Sequence, residues 1–178
     1  MRKWKKLSVT SISSSHNVNE VFYLGYEALM LQYPQLTIKE VSKLPKGLAG
    51  LNIGSEIHLD KQRCRYEKHG ILAEEIGHYE KTYGDITNIS CIRNWKLELV
   101  ARRWGYEKIV SLDKLIECHE LGHKTLDEVC MYLEVTPKYL KTSIDHYQSR
   151  HGISIIHKGF EVFFNPLNIR RVKNFYPN

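Results

Sequence analysis

Two pentapeptides in this chain carry residue types that can bind a metal ion and move a proton. Glu74 to His78 reads EEIGH, and His119 to His123 reads HELGH. The second is a complete HExxH, the signature of zinc peptidases. Helix geometry gives the pattern its chemistry. Positions i and i+4 lie ~40° apart around the axis and ~6 Å apart along it, so two side chains there converge on one ion. Position i+1 lies ~100° round, close enough to hold a water on the ion but not to ligate it. A carboxylate there serves as a general base, while the ion polarises a peptide carbonyl. A third protein ligand must come from elsewhere, leaving one position open for water and substrate.

Both sites need a helix that continues through the last histidine. For HELGH, Gly122 followed by His123-Lys124-Thr125 predicts a helix C-terminus with glycine in the left-handed position. Thr125 and Glu128 then form a capping box that starts the next helix at LDEVCMYL. A helix ending at Leu121 takes His119 and His123 off a shared face, which leaves an interhelix turn with two solvated histidines. The alternative is a structural zinc site built from His119, His123 and either Cys118 or Cys130. EEIGH also contains a glycine, Gly77, which costs about 1 kcal/mol of helix propensity. Nothing restarts a helix after it, however, and Tyr79-Glu80-Lys81 can continue the turn. Ile71, Leu72 and Ala73 upstream predict a buried helix. Glu74 and His78 then fall at i and i+4, with Glu75 at i+1. Glu98 sits beside the apolar stripe of the following helix, from which it can reach inward as a third ligand. The competing reading is structural. Glu98 and Arg102 are spaced i, i+4 and can pair on the surface, Glu74 and Glu75 can form a solvated acidic face, and His78 can be a hydrogen-bonded core histidine.

The elements that must position these residues follow from periodicity and punctuation. Residues 19–33 predict a helix ended by Pro34. TIKEV, AGLNIG and SEIHLD predict short strands, with Ile53, Ile57 and Leu59 on one buried face. A helix is expected from about Tyr66 to Lys81, then a loop, TYGDITNIS, with Gly84 as the stop. The next helix runs from about Arg93 to Val110 with a stripe of Leu97, Val100, Ala101 and Trp104. Residues 111–150 read as short helices, the last capped by Thr136 with Pro137 in its first position. GISIIHKGFEVFFNP predicts a β-hairpin turning at Lys158-Gly159. The expected organisation is therefore a basic arm over 1–18, an α+β core over 19–110, a helical, helix-turn-helix-like subdomain over 111–150, and a hairpin with its tail over 151–178.

Bulk properties narrow the class. An apolar fraction of 42% and a charged fraction of 26% fit a soluble globular chain. No apolar run approaches the ~20 residues that span a bilayer. The basic start, MRKWKKLSVTSISSSHN, lacks the apolar stretch of a signal peptide. Cys64, Cys91, Cys118 and Cys130 are widely spaced without a CxxC, which predicts reduced thiols in a cytoplasm. A net charge of +6 permits nucleic-acid contact without requiring it.

Three segments in order carry a wider resemblance: KLPKGLAGLNIGSEIHLDKQ, HGILAEEIGHYEKTYGDI and RNWKLELVARRWGYEKIVSLDKL. With LDEVCMYLEVTPKYLKTSIDHYQSRHG and the hairpin, they resemble the ImmA/IrrE family of metallopeptidases over roughly residues 20–170, closest to the short phage and mobile-element type. The resemblance implies a zincin-like core. It places the active-site helix on Ile71 to Lys81 and HELGH in a turn where the family has no catalytic motif. By position, it implies metal ligands at Glu74, His78 and Glu98, the last in an ExxA that ends at Ala101, with Glu75 as general base. The departure is Glu74, where the family motif has histidine. Two carboxylates and one imidazole make a harder, more anionic site, with zinc expected and manganese less improbable than at a two-histidine site. The implied substrate is a helix-turn-helix repressor, whose cleavage or inactivation derepresses a mobile element in the cytoplasm of a bacterial host.

Two other classes compete. TLDEVCMYLEVTPKYLKTSIDHY has the look of a helix-turn-helix, whose second helix would offer Lys138, Lys141 and His146 to DNA. Asp127, Glu128, Glu134 and Asp145 dilute that charge, and Leu126, Val129, Leu133, Tyr139 and Leu140 would make it a packing subdomain instead. A non-catalytic antirepressor would bind the repressor without cutting it. Among single residues, His58 is expected at the solvent face of a strand, His69 lies too far round the helix to join Glu74, and Trp95 and Trp104 are expected in the core. Tyr79, Tyr83 and His146 are candidates for stabilising an oxyanion if they reach the site.

Overall fold

The computed structural model describes residues 25–81 and 92–173. The predicted N-terminal arm, the start of the first helix, the TYGDITNIS loop with Tyr83 and Gly84, and Cys91 lie outside the described residues. The fold is α+β, with six helices and two three-stranded sheets among the described residues.

Helix α1 (Tyr26–Leu31) leads into a sheet of β1 (Thr37–Val41), β2 (Gly50–Ile53) and β3 (Glu56–Asp60). Its order is β1-β3-β2, with β1 parallel and β2 antiparallel to the central β3. Alternation along β3 sends Ile57 and Leu59 to the buried face, both completely enclosed. Ile53 departs from the expectation and is 55% exposed. Its antiparallel partner is Glu56, while Asn52 faces Ile57. Cross-strand partners share a face, so Ile53 falls on the solvent side.

Helix α2 (Arg65–Lys81) lies on this sheet and buries His69, Leu72, Ala73 and Ile76. Helix α3 (Ile92–Ile109) packs along α2 at unusually close range. A Cβ added at Gly77 would stand 2.4 Å from the Ala101 carbonyl oxygen, and one at Gly105 would stand 3.2 Å from that of Ala73. The glycine that weakens α2 as an isolated helix is what lets α3 approach it. Ala101 is fully buried at this crossing, but Val100 is exposed and Trp95 is 52% exposed, against expectation. Trp104 is half-buried and packs edge-on against Tyr33.

Three short helices follow: α4 (Leu112–Glu120), α5 (Leu126–Leu133) and α6 (Pro137–His151). Thr125 Oγ1 accepts from the Glu128 N–H at 3.2 Å, and the Glu128 carboxylate accepts from the Thr125 N–H at 2.9 Å, completing the capping box. Thr136 caps α6 by accepting from the Tyr139 N–H, with Pro137 at the helix start. Val129, Leu133, Val135 and Leu140 are buried between these helices, whereas Leu126 is exposed. The second sheet, β4 (Ser154–His157), β5 (Phe160–Phe164) and β6 (Leu167–Arg171), is antiparallel in that order. Lys158 and Gly159 both take positive φ, 47° and 80°, the conformation of a two-residue hairpin turn. The third strand was not expected from the sequence, because in LNIRR only Ile169 is buried. It pairs with Val162 across the sheet.

Cys64, Cys118 and Cys130 are free thiols, the last two buried. Among the described residues no helix is long and apolar enough to cross a membrane.

Candidate metal centre

Helix α2 runs unbroken through EEIGH, so Glu74 and His78 project from one face. The close crossing at Gly77 and Ala101 brings α3 near enough for Glu98 to meet them. Ligand atoms of Glu74, His78 and Glu98 all lie within 4.8 Å of one another, the one such group among the described residues. His78 Nε2 and Glu98 Oε2 stand 3.2 Å apart. Two donors ~2.0–2.2 Å from a tetrahedral zinc would be separated by roughly 3.3 Å, so this pair already has the spacing of one edge of such a site. One imidazole and two carboxylates form a donor set suited to a divalent ion, and the residues fit the group.

Glu75 lies ~100° round the helix from Glu74, beneath Gly50 of β2. It is 8% exposed. A Cβ at Gly50 would sit 2.6 Å from its Oε1, so glycine there is what leaves room for the carboxylate. Burial pushes its pKa up to about 7; His78 opposes the rise, the Glu74 and Glu98 charges add to it, and the nearby Asn52 backbone moderates it. The other groups divide by their partners. His78 is penalised by burial, but the Glu98 hydrogen bond and the surrounding carboxylates outweigh this and raise its pKa. Glu98 is held at about 2, chiefly by the hydrogen bond from His78. Glu74 is raised by burial despite Arg102, and it shares a hydrogen bond with Glu98. Of the two carboxylates, Glu74 takes the proton more readily, because burial raises its pKa while the His78 hydrogen bond lowers that of Glu98.

Arg102 completes the group. Its Nε donates to Glu74 Oε1 at 2.9 Å and its Nη2 to Glu98 Oε1 at 2.6 Å. The sequence places Arg102 only as a surface partner of Glu98; the link to Glu74 spans two helices and no local spacing could reveal it. Tyr106, one turn further along the same face, was not singled out either. Burial raises its pKa first and the Glu74 charge next, which places its hydroxyl in the field of the cluster. The run of Glu98, Arg102 and Tyr106 at successive i+4 steps was the available signal.

HELGH forms no such site. Helix α4 ends at Glu120, Gly122 has φ 83°, and the N–H groups of Gly122 and His123 return to the carbonyls of His119 and Cys118. This is the closing pattern of a Schellman cap. The His119 ring packs edge-on against Phe160 and the His123 ring lies near Tyr132.

The remaining candidates also have other partners. His58 is half-buried and pairs with Glu56 at 3.0 Å. His69 is fully buried, with Nδ1 3.0 Å from the Glu134 carbonyl. Tyr79 is exposed on α2. His146 is turned inward against Glu107 at 2.9 Å, which removes one of the three side chains that α6 would offer to DNA. No family model, no curated protein and no solved structure matches this chain.

Proposed function

We propose that this chain is a zincin-like, metal-dependent endopeptidase that cleaves or inactivates a helix-turn-helix repressor of a phage-type mobile element in a bacterial cytoplasm. The observation that carries the enzymatic reading is the meeting of Glu74, His78 and Glu98 from two helices, with a buried carboxyl, Glu75, at the intervening position. The substrate class rests on the family resemblance of the segments around that site.

Glu74, His78 and Glu98 would hold the ion. Bound there, a zinc ion would polarise the scissile carbonyl and acidify the attacking water. Glu75 is the residue that moves the proton, taking it from the water and returning it to the leaving amine. A carboxyl near neutrality suits a group that must both accept and donate. Strand β2 is an edge of its sheet, and the Glu75 carboxylate lies beneath its Gly50. An extended peptide paired with that edge would therefore lie beside the proton-transfer group.

A second reading has its own observation. Arg102 already pairs with both carboxylates, as it would in a chain that binds the repressor without cutting it. The Glu75→Gln variant separates the two, because it removes the base and keeps the side-chain shape. Wild-type protein with zinc should yield two repressor fragments by mass spectrometry, and the variant none. Derepression in the host should vanish with Glu75→Gln; derepression that survives it refutes the enzymatic reading.

A further inference from the structure

We infer that Arg102 is a positioning residue of the metal centre, holding Glu74 and Glu98 in place and supplying the charge that lets a carboxylate stand at position 74. The inference rests on the metal-centre reading above and extends it to the one residue where the chain departs from HExxH.

The geometry divides the carboxylate oxygens between two tasks. Arg102 takes Oε1 of Glu74 and Oε1 of Glu98 with Nε and Nη2, two donors on one edge of its planar group. Glu98 Oε2 is left facing His78 Nε2. One rigid fork therefore sets the separation of two ligands that come from different helices. Lysine offers a single point charge and cannot do this. Arg102 is itself anchored on α3, one turn from Glu98, and reaches across to α2.

Charge and hydrogen-bond polarity point the same way. Glu74, Glu75 and Glu98 gather three carboxyls in one place, one more than a histidine at 74 would leave. Arg102 returns one positive charge. An imidazole that ligates an ion through one nitrogen presents only an N–H at the other. Against the donor Arg102 Nε–H, that would set donor on donor. Glu74 accepts where histidine would not, so Glu74 and Arg102 belong together as a pair. The exchange of histidine for glutamate is then a matched change and not a decayed ligand.

An ordinary surface ion pair predicts something different. Arg102 is half-exposed, and such pairs contribute little to stability and do not bear on metal affinity. The test measures Zn2+ affinity by chelator competition and the Co2+ absorption spectrum, with folding checked by circular dichroism. The proteins are wild type, Arg102→Met, Arg102→Lys, Glu74→His and Glu74→His/Arg102→Met. Arg102→Met should weaken zinc binding about 10–100-fold, the scale for groups that orient ligands, and Arg102→Lys should recover only part of it. Glu74→His alone should bind weakly, and adding Arg102→Met should tighten it, reversing the sign of the arginine change. Equal, independent effects in the two backgrounds would overturn the inference, as would tighter zinc binding by Arg102→Met. Folded wild-type protein that binds neither ion would instead remove the metal-centre reading itself, and this inference with it.

Discussion

Replacing Gly77 with alanine sets two physical arguments against each other. In an open helix the change should stabilise by about 1 kcal/mol, the difference in helix propensity. In this fold the new methyl would stand 2.4 Å from the Ala101 carbonyl oxygen and 3.0 Å from its Cα and carbonyl carbon. An ordinary carbon–oxygen contact is about 3.4 Å, so α2 and α3 must separate by about 1 Å. No side-chain rotation can absorb this, because the obstructing atoms are backbone. Overpacking of this kind costs about 1–3 kcal/mol, and after the propensity gain a net loss of about 0–2 kcal/mol is expected. The same shift acts on the site. His78 follows Gly77 and Glu98 lies one turn before Ala101, so their 3.2 Å approach should open towards 4 Å. Zinc affinity should fall by about tenfold or more. Urea denaturation of the metal-free protein measures the first effect and chelator competition the second. Gly105→Ala gives a graded comparison, since its added carbon would meet neighbours at 3.1 to 3.2 Å and should cost less. A Gly77→Ala protein more stable than wild type, with unchanged zinc affinity, would refute the packing argument.

Further outcomes follow from the same structure. The His119→Ala/His123→Ala protein should keep its full metal content by atomic absorption, because these residues flank a helix cap and not an ion. Thr125→Ala should lower stability by about 0.5–2 kcal/mol in urea melts through loss of the α5 cap, with zinc affinity unchanged. His69 gives a pH signature. Burial lowers its pKa, opposed by the Glu134 carbonyl, so the folded protein binds its proton less readily than the unfolded chain. Its contribution to stability is full above about pH 6.5 and is lost as pH falls towards the folded value. From pH 7 to 5, wild type should therefore lose stability more steeply than His69→Gln; parallel curves would show that His69 does not carry this linkage.

Local signals made much of the fold legible. The capping box at Thr125, Pro137 after Thr136, the Lys158-Gly159 turn and the alternation of Ile57 with Leu59 each specify structure within a few residues. The failures share a cause. Ile53, Trp95, Val100 and Leu126 are apolar, and local pattern counted them as core. Their exposure is decided by register and packing, which apolar pattern alone does not fix: Ile53 pairs with Glu56 across the β2–β3 turn and so falls on the solvent face. Strand β6 is not legible in the sequence because its polar alternation makes sense only beside β5. Gly77 looked like a defect until α3 occupied the space it leaves.

The two motifs show why a matching string is weaker evidence than the structure that must hold it. HELGH has every residue the chemistry asks for, but Gly122 ends the helix between the two histidines. EEIGH lacks one histidine and keeps the helix, and a third residue from α3 meets it. The surface-pair reading of Glu98 and its ligand reading are not rivals at the level of atoms. Glu98 turns Oε1 to Arg102 and Oε2 to His78, so one carboxylate serves both at once. An ion pair chosen only for solubility would have no reason to reach Glu74 as well. Arg102 does reach it, and in doing so it aligns two carboxylates from separate helices beside the one buried base that could use them.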